Sequence, residues 1–318
     1  MYAPPEVIGT EVFARLPDKF RRKDANNAWA IVNRRGIPVD SFIEGPSFDR
    51  NGNLYIVDIP YGRIFRISPA AEFELVAEYD GEPNGLKIAR DGRILVTDYR
   101  HGLMTLDPDS GKVTAVLERR WSERFKGVND LVFASNGDIY FTDQGQTGMH
   151  DPTGRVYRLR VDGTLDLIVG NIPSPNGLVL NGSEHILYVA ATRGNAIWRI
   201  PLMPDGTASK VGIFVQLSGS LGGPDGLAID EQDNLAIAHA GLGTVWIFSR
   251  LGEPLYRVRS CQGLTTTNVA YGGPDNKNLY ITESESGCVL VARLPIAGRL
   301  MASHRSSHDP AVAPSSHR

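Results

Sequence analysis

The stretch IEGPSFDRNGNLYIVD, residues 43–58, decides the fold, because the chain returns to its pattern five more times. The later copies are PNGLKIARDGRILVTD (83–98), VNDLVFASNGDIYFTD (128–143), PNGLVLNGSEHILYVA (175–190), PDGLAIDEQDNLAIAH (224–239) and TNVAYGGPDNKNLYIT (267–282). Each carries an apolar, β-branched run, a cluster rich in Gly, Asn and Asp, and a second such run, which reads as a β-hairpin. A polar anchor stands near the start of each copy, at Glu44, Asn84, Asn129, Asn176, Asp225 and Asn268, with spacings of 40, 45, 47, 49 and 43 residues. One four-stranded blade fits each interval, so the sequence predicts an all-β, six-bladed β-propeller forming a single domain over residues 1–294.

Anchor and last residue of the phrase are 14 apart in all six copies. An antiparallel hairpin brings its ends together, so every anchor shares an end of its blade with Asp58, Asp98, Asp143, Ala190, His239 or Thr282. Six anchors are thereby expected at one mouth of a central channel. Two further strand-like runs follow each hairpin, as in GRIFRIS from Gly62 and FELVAEY from Phe73. The sixth copy has only GCVLVARL from Gly287, so the N-terminal run TEVFARLP from Thr10 is predicted to supply the missing outer strand and close the ring. Residues 295–318, rich in Pro, Ser and His, read as a disordered tail.

Composition narrows the function classes. Against 33 basic residues stand 36 acidic ones, a net charge of −3, which gives no electrostatic reason to expect nucleic acid. No apolar run approaches the roughly 20 residues of a membrane helix, and the N-terminus lacks the order of a secretory signal, so the expected location is the cytoplasm. Cys261 and Cys288 make neither a CxxC nor a zinc spacing and read as apolar filler. A GxSxG nucleophile elbow and a GxxxxGK phosphate loop are both absent from the sequence.

The anchors carry the chemistry. Carboxylate and amide oxygens converging from Glu44, Asn129, Asn176 and Asp225 make a hard, all-oxygen site with two formal negative charges. Such a set suits a divalent metal ion, calcium ahead of zinc, manganese or magnesium, since no Cys or His stands among the anchors. Asn or Asp before Gly is also a common turn former, but six in register, with an acidic pair that would repel without a cation, favour the site. Asn84 and Asn129 are candidates to touch substrate from the same mouth.

EGPSFDRNGNLYIVD, VNDLVFASNGDIYFTD, SPNGLVL and GPDGLAID, in this order, resemble the family of gluconolactonase, senescence marker protein and luciferin-regenerating enzyme over roughly residues 10–294. The resemblance implies a calcium-type centre ligated by Glu44, Asn176 and Asp225, with Asn129 touching metal or substrate, and hydrolysis of a lactone, a small cyclic ester. The animal gluconolactonases place an Arg two residues before the asparagine matching Asn129, where this chain has Gly127, so hydrolysis is implied more firmly than gluconolactone. A phosphotriester or cyclic ketone at the same metal site, or a calcium-binding scaffold without catalysis, are the alternatives. For the general base Asp225 comes first, followed by His239 and Asp143, which the hairpin places at the mouth. The loops over that mouth offer His101, Gln144, Met149 and His150 for substrate contact, with Tyr61 and Trp121 as apolar wall.

Overall fold

A computed structural model of the protein describes residues 3–305 and consists of six antiparallel blades in a ring. The innermost strands, Ile43–Phe48, Pro83–Ile88, Val128–Phe133, Pro175–Leu180, Gly223–Ile229 and Thr266–Gly272, each open a blade, and the chain then steps outward. The predicted hairpin register holds: Ile43 faces Asp58, Pro83 faces Asp98, Val128 faces Asp143 and Pro224 faces His239. Glu11–Arg15 pairs antiparallel with Cys288–Arg293 and completes the sixth blade, as expected for the closing strand. Just before it, Glu6–Gly9 runs parallel to Pro254–Arg259 and makes the fifth blade five-stranded. The N-terminal arm therefore laces two blades, a pairing with no counterpart in the other copies.

Alternation along each strand sends apolar side chains to both faces of a blade, and the seams between blades form the core. Between the first and second blades, Val57, Ile64, Leu86 and Val96 pack together; between the second and third, Leu103, Leu131 and Phe141 do so. Comparable clusters fill the remaining seams. Polar ties cross the same seams near the axis. Thr142 Oγ1 donates to the Asn176 carbonyl at 2.8 Å and Thr192 Oγ1 to the Pro224 carbonyl at 2.7 Å, which fixes each inner strand to its neighbour.

The chain from 295 onward departs from the sequence expectation. Arg299 N–H donates to the Ile229 carbonyl at 2.9 Å, and its guanidinium donates to the Gly182 carbonyl at 2.7 Å. Ser303 Oγ donates to the Phe48 carbonyl at 2.9 Å, and Arg50 donates to the Ser303 carbonyl at 2.7 Å. Leu300, Met301 and Ala302 roof a cavity of about 110 Å³ at the ends of the inner strands, away from the anchors. This segment thus covers the lower mouth by tying blades together through its backbone and through the Arg299 and Ser303 side chains, a role that composition does not reveal. The rest of the expected tail, residues 306–318, lies outside the described residues. Of the two cysteines, which form no disulfide, Cys288 is core filler as expected, whereas Cys261 is exposed. Among the described residues no helix is long and apolar enough to cross a membrane.

Candidate active site

In every inner strand the register slips at or beside the anchor, between Glu44 and Ser47, Pro83 and Gly85, Val128 and Leu131, Pro175 and Leu178, Pro224 and Leu227, and Thr266 and Asn268. A bulge of this kind bends the strand and re-aims a side chain. Here the slips stand at the anchors, five of which line one cavity of about 500 Å³ at the upper mouth: Glu44, Asn84, Asn129, Asn176 and Asp225. Close approach of adjacent inner strands explains the residue after the anchor. A side chain at Gly177 would collide with the Asp225 carbonyl and the Gly226 backbone.

Asn268, the sixth anchor, is buried beneath the cavity. Its Nδ2 donates to Glu44 Oε2 at 2.8 Å and lies 3.4 Å from Asp130 Oδ2. Glu44 Oε2 also accepts from Gly45 N–H at 2.6 Å. Asp130 stands where four other copies have Gly, and that departure from the repeat was a readable signal for a further buried carboxylate. Burial pushes Glu44 up to about 7, with repulsion from Asp130 adding to it and the Gly45 and Asn268 hydrogen bonds opposing. The Asp225 carboxyl is raised well above the usual range by burial first, then by repulsion from Glu44 and Asp130; Arg193 and Asn176 oppose. Asp225 keeps partial exposure, and that exposure is toward the cavity it lines.

These groups fit a divalent, oxygen-seeking cation. Two carboxylates that repel each other across a cavity, joined by amide oxygens, gain from such an ion what they lose by burial. No three His, Cys, Asp or Glu side chains cluster as a metal site among the described residues. An ion here would depend on Asn129, Asn176 and water for its remaining oxygens, which suits calcium better than zinc.

Gln144 also lines the cavity, accepting from Asn129 Nδ2 at 2.9 Å and donating to Ser174 Oγ at 3.0 Å. The other loop candidates are elsewhere. His101 Nε2 contacts the Asp80 carbonyl at 2.8 Å, and Met149 and His150 are exposed; none of the three lines the cavity. Tyr61 donates to the Val39 carbonyl at 2.6 Å, and Trp121 lies under the Arg120 guanidinium on an exposed turn, so neither forms its wall. The walls come instead from Trp29, Phe42, Ile59, Tyr99, Leu221 and Leu264. Trp29 belongs to the short helix Ala28–Asn33, started by Asn27, whose Oδ1 accepts from Ala30 N–H at 3.0 Å. Its ring packs on Phe42 with centroids 4.8 Å apart. Six residues are too few to show a helical period, so this wall carries no readable sequence signal.

The Tyr99 ring accounts for Gly127. A side chain at 127 would collide with that ring, so an arginine has no room there. The cavity nevertheless holds cations from other elements, Arg34 and Arg193. Arg34 pairs with Glu285 at 3.0 Å.

Asp143 and His239 are both fully buried and do not line the cavity. Asp143 pairs with Arg155 at 2.5 Å and accepts from Gly127 N–H at 2.9 Å, bracing the approach to the inner strand. His239 Nδ1 accepts from Trp246 Nε1 at 3.1 Å, so the ring proton sits on Nε2, 3.1 Å from Asn195 Oδ1. Burial lowers His239 from 6.5 to about 4. The unfolded histidine takes its proton near 6.5 and the folded one only near 4. The stability this group contributes is therefore full above pH 6.5, declines as pH falls to 4, and is gone below. His239→Gln is expected to flatten that decline, read as urea midpoints at neutral and acidic pH; an unchanged slope would assign it to other groups.

The sequence profile of the SMP-30/Gluconolactonase/LRE-like region matches residues 42–285. Lactonase drp35 of Staphylococcus aureus strain MRSA252 is 31% identical over 243 residues, covering 72% of each chain. Among solved structures, a calcium-binding protein, regucalcin, from Agrobacterium tumefaciens superposes with a TM-score of 0.76 at 20% identity, over 95% of this chain and 100% of its own. A gluconolactonase from Xanthomonas campestris superposes with a TM-score of 0.71 at 22% identity, over 90% and 99%. These two likenesses carry the fold; the profile and the lactonase carry the kinship. With its ring of blades and converging anchors, the chain belongs to the SMP-30/gluconolactonase/LRE-like family.

Proposed function

We propose that the protein hydrolyses a lactone in the upper-mouth cavity, with a divalent cation, calcium foremost, held by Glu44, Asn176 and Asp225, and Asn129 turned to the ion or the substrate. The observation that carries this reading is the meeting of Glu44 and Asp225 with the anchor amides Asn84, Asn129 and Asn176 in one cavity. Kinship with proteins named lactonase supports the reaction class. Bound calcium supplies a Lewis acid for the lactone carbonyl.

The chain's own residues do the rest. Asp225, open to the cavity, takes the proton of the attacking water. Glu44, fixed by Gly45 and Asn268, stays in place as ligand. Asn84, Asn129 and Gln144 offer amide groups to the polar edge of the ring, while Trp29, Phe42 and Tyr99 exclude bulk water from it. Asp143 and His239 act through the loops they brace.

A panel of γ- and δ-lactones, followed by acid release, tests this. Turnover is expected to vanish with chelator and return with calcium, and calorimetry should show calcium binding to the same preparation. Turnover that survives complete chelation removes the cation from the reaction. Tight calcium binding with no lactone opened would move the assignment to a phosphotriester, a cyclic ketone or a scaffold role.

A further inference from the structure

Arg193 lines the cavity from the turn Thr192–Gly194 and, among the described residues, its side chain makes a single long hydrogen bond, 3.4 Å to the Gly222 carbonyl. No carboxylate among the described residues lies within ion-pair distance of it. The other charges around the mouth are matched. Arg34 has Glu285, Lys87 faces Asp130 from below, and Glu44 with Asp225 form the pair assigned to a divalent ion. Arg193 acts on Asp225 only from beyond ion-pair distance, and once a divalent ion balances Glu44 and Asp225 its positive charge is the one left over.

The turn that presents Arg193 is held from both sides. Thr192 Oγ1 donates to the Pro224 carbonyl at 2.7 Å, beside Asp225. Asn195, left-handed at φ 48°, donates from Nδ2 to the Gly219 carbonyl at 2.9 Å, and its Oδ1 receives the Nε2 proton of His239. Trp246 in turn holds the His239 ring. A Trp246–His239–Asn195 relay, fully buried at His239, thus supports the turn of an arginine whose guanidinium is free to meet a ligand. A loose surface arginine would not need such a frame.

We infer that Arg193 is a specificity residue that selects a lactone bearing an anionic substituent, a carboxylate or a group of like charge and geometry, and that His239 is its positioning residue through Asn195. The planar fork of arginine matches a carboxylate with two parallel hydrogen bonds, which lysine cannot reproduce. The inference rests on the lactonase reading and names the substrate class for the same cavity.

The test uses the calcium-loaded full chain and a matched pair of γ-lactones, one with a ring carboxylate and one with the corresponding carboxamide. The wild type is expected to prefer the carboxylate by about tenfold to a hundredfold in kcat/KM, the worth of a charge-assisted hydrogen bond. In Arg193→Gln the preference should fall to near unity, through KM. Arg193→Lys should restore part of it, and His239→Gln should weaken it with KM changing more than kcat. A second arm is independent of turnover. Binding of tetrahydrofuran-2-carboxylate, which has no ester to open, is measured by calorimetry in wild type and Arg193→Gln. If neither lactone is opened but this ligand binds the wild type and not the variant, the lactonase reading fails and the anion site stands. Equal treatment of carboxylate and carboxamide by the wild type, or carboxylate binding unchanged in Arg193→Gln, overturns the inference.

Discussion

Replacing Asp58 by alanine is expected to destabilise the protein by about 3–5 kcal/mol, the usual cost of leaving a buried charge without its partner. Asp58 and Arg63 are both essentially inaccessible, facing each other across adjacent strands of the first blade. Asp58 Oδ2 accepts from Arg63 Nε at 2.8 Å, and Oδ1 accepts from Phe42 N–H at 2.7 Å. Arg63 Nη1 reaches the Phe20 carbonyl at 2.6 Å. The pair therefore ties the N-terminal segment to the loop that leads into Glu44. Alanine at 58 leaves a guanidinium in the interior with only Glu78, already paired with Arg22, as a more distant counter-charge, and a guanidinium does not escape by giving up its proton. Removing both charges in Asp58→Leu/Arg63→Met is expected to recover much of the loss, because an apolar pair of similar volume avoids desolvating two ions. Urea unfolding of the two single variants and the double gives the coupling. A loss below about 1 kcal/mol for Asp58→Ala, the size expected of an exposed pair, would mean that water reaches the pair after all.

The same residue shows what the sequence does and does not disclose. Asp58, Asp98 and Asp143 recur at one position, and recurrence marks them as structural brackets. Asp98 holds Glu82 N–H at 2.9 Å and Tyr79 OH at 2.7 Å, and Asp143 holds Gly127 N–H. Blade count, hairpin register and the closing strand follow from periodicity, which the backbone must obey. The five anchors that meet in the cavity follow from the fixed distance between anchor and hairpin end. Side-chain direction in loops obeys no such rule, so His101, Met149 and His150 lay beyond reach. His239 breaks the repeat, and that signal was sound, but the break answers to Trp246 and Asn195 instead of to the cavity. Arg193 and the Ala28–Asn33 helix enter from a turn and an N-terminal segment that lie outside the repeated phrase.

Asp225→Asn is expected to lower kcat/KM by about 10²–10⁴, the range for losing a general base, and to weaken calcium binding in the same variant. The substitution preserves shape and removes one charge, and at this position a charge is what the cavity lacks means to replace. Glu44 is half-spent on Gly45 and Asn268, Asp130 lies below the cavity against Asn268, and the remaining polar side chains of the lining are neutral apart from the Arg34–Glu285 pair and Arg193. Folding should survive, since relief of repulsion among Asp225, Glu44 and Asp130 favours the native ring. Asp143→Asn separates the rival assignment. Its carboxylate is engaged by Arg155 and Gly127, so its loss should appear in the urea midpoint before it appears in kcat. If Asp143→Asn instead abolishes turnover in a fully folded protein while Asp225→Asn retains it, Asp143 is the base and the cavity opens further toward the third blade than its lining indicates. If Asp225→Asn retains full turnover without bound calcium, neither the ion nor this carboxylate carries the reaction.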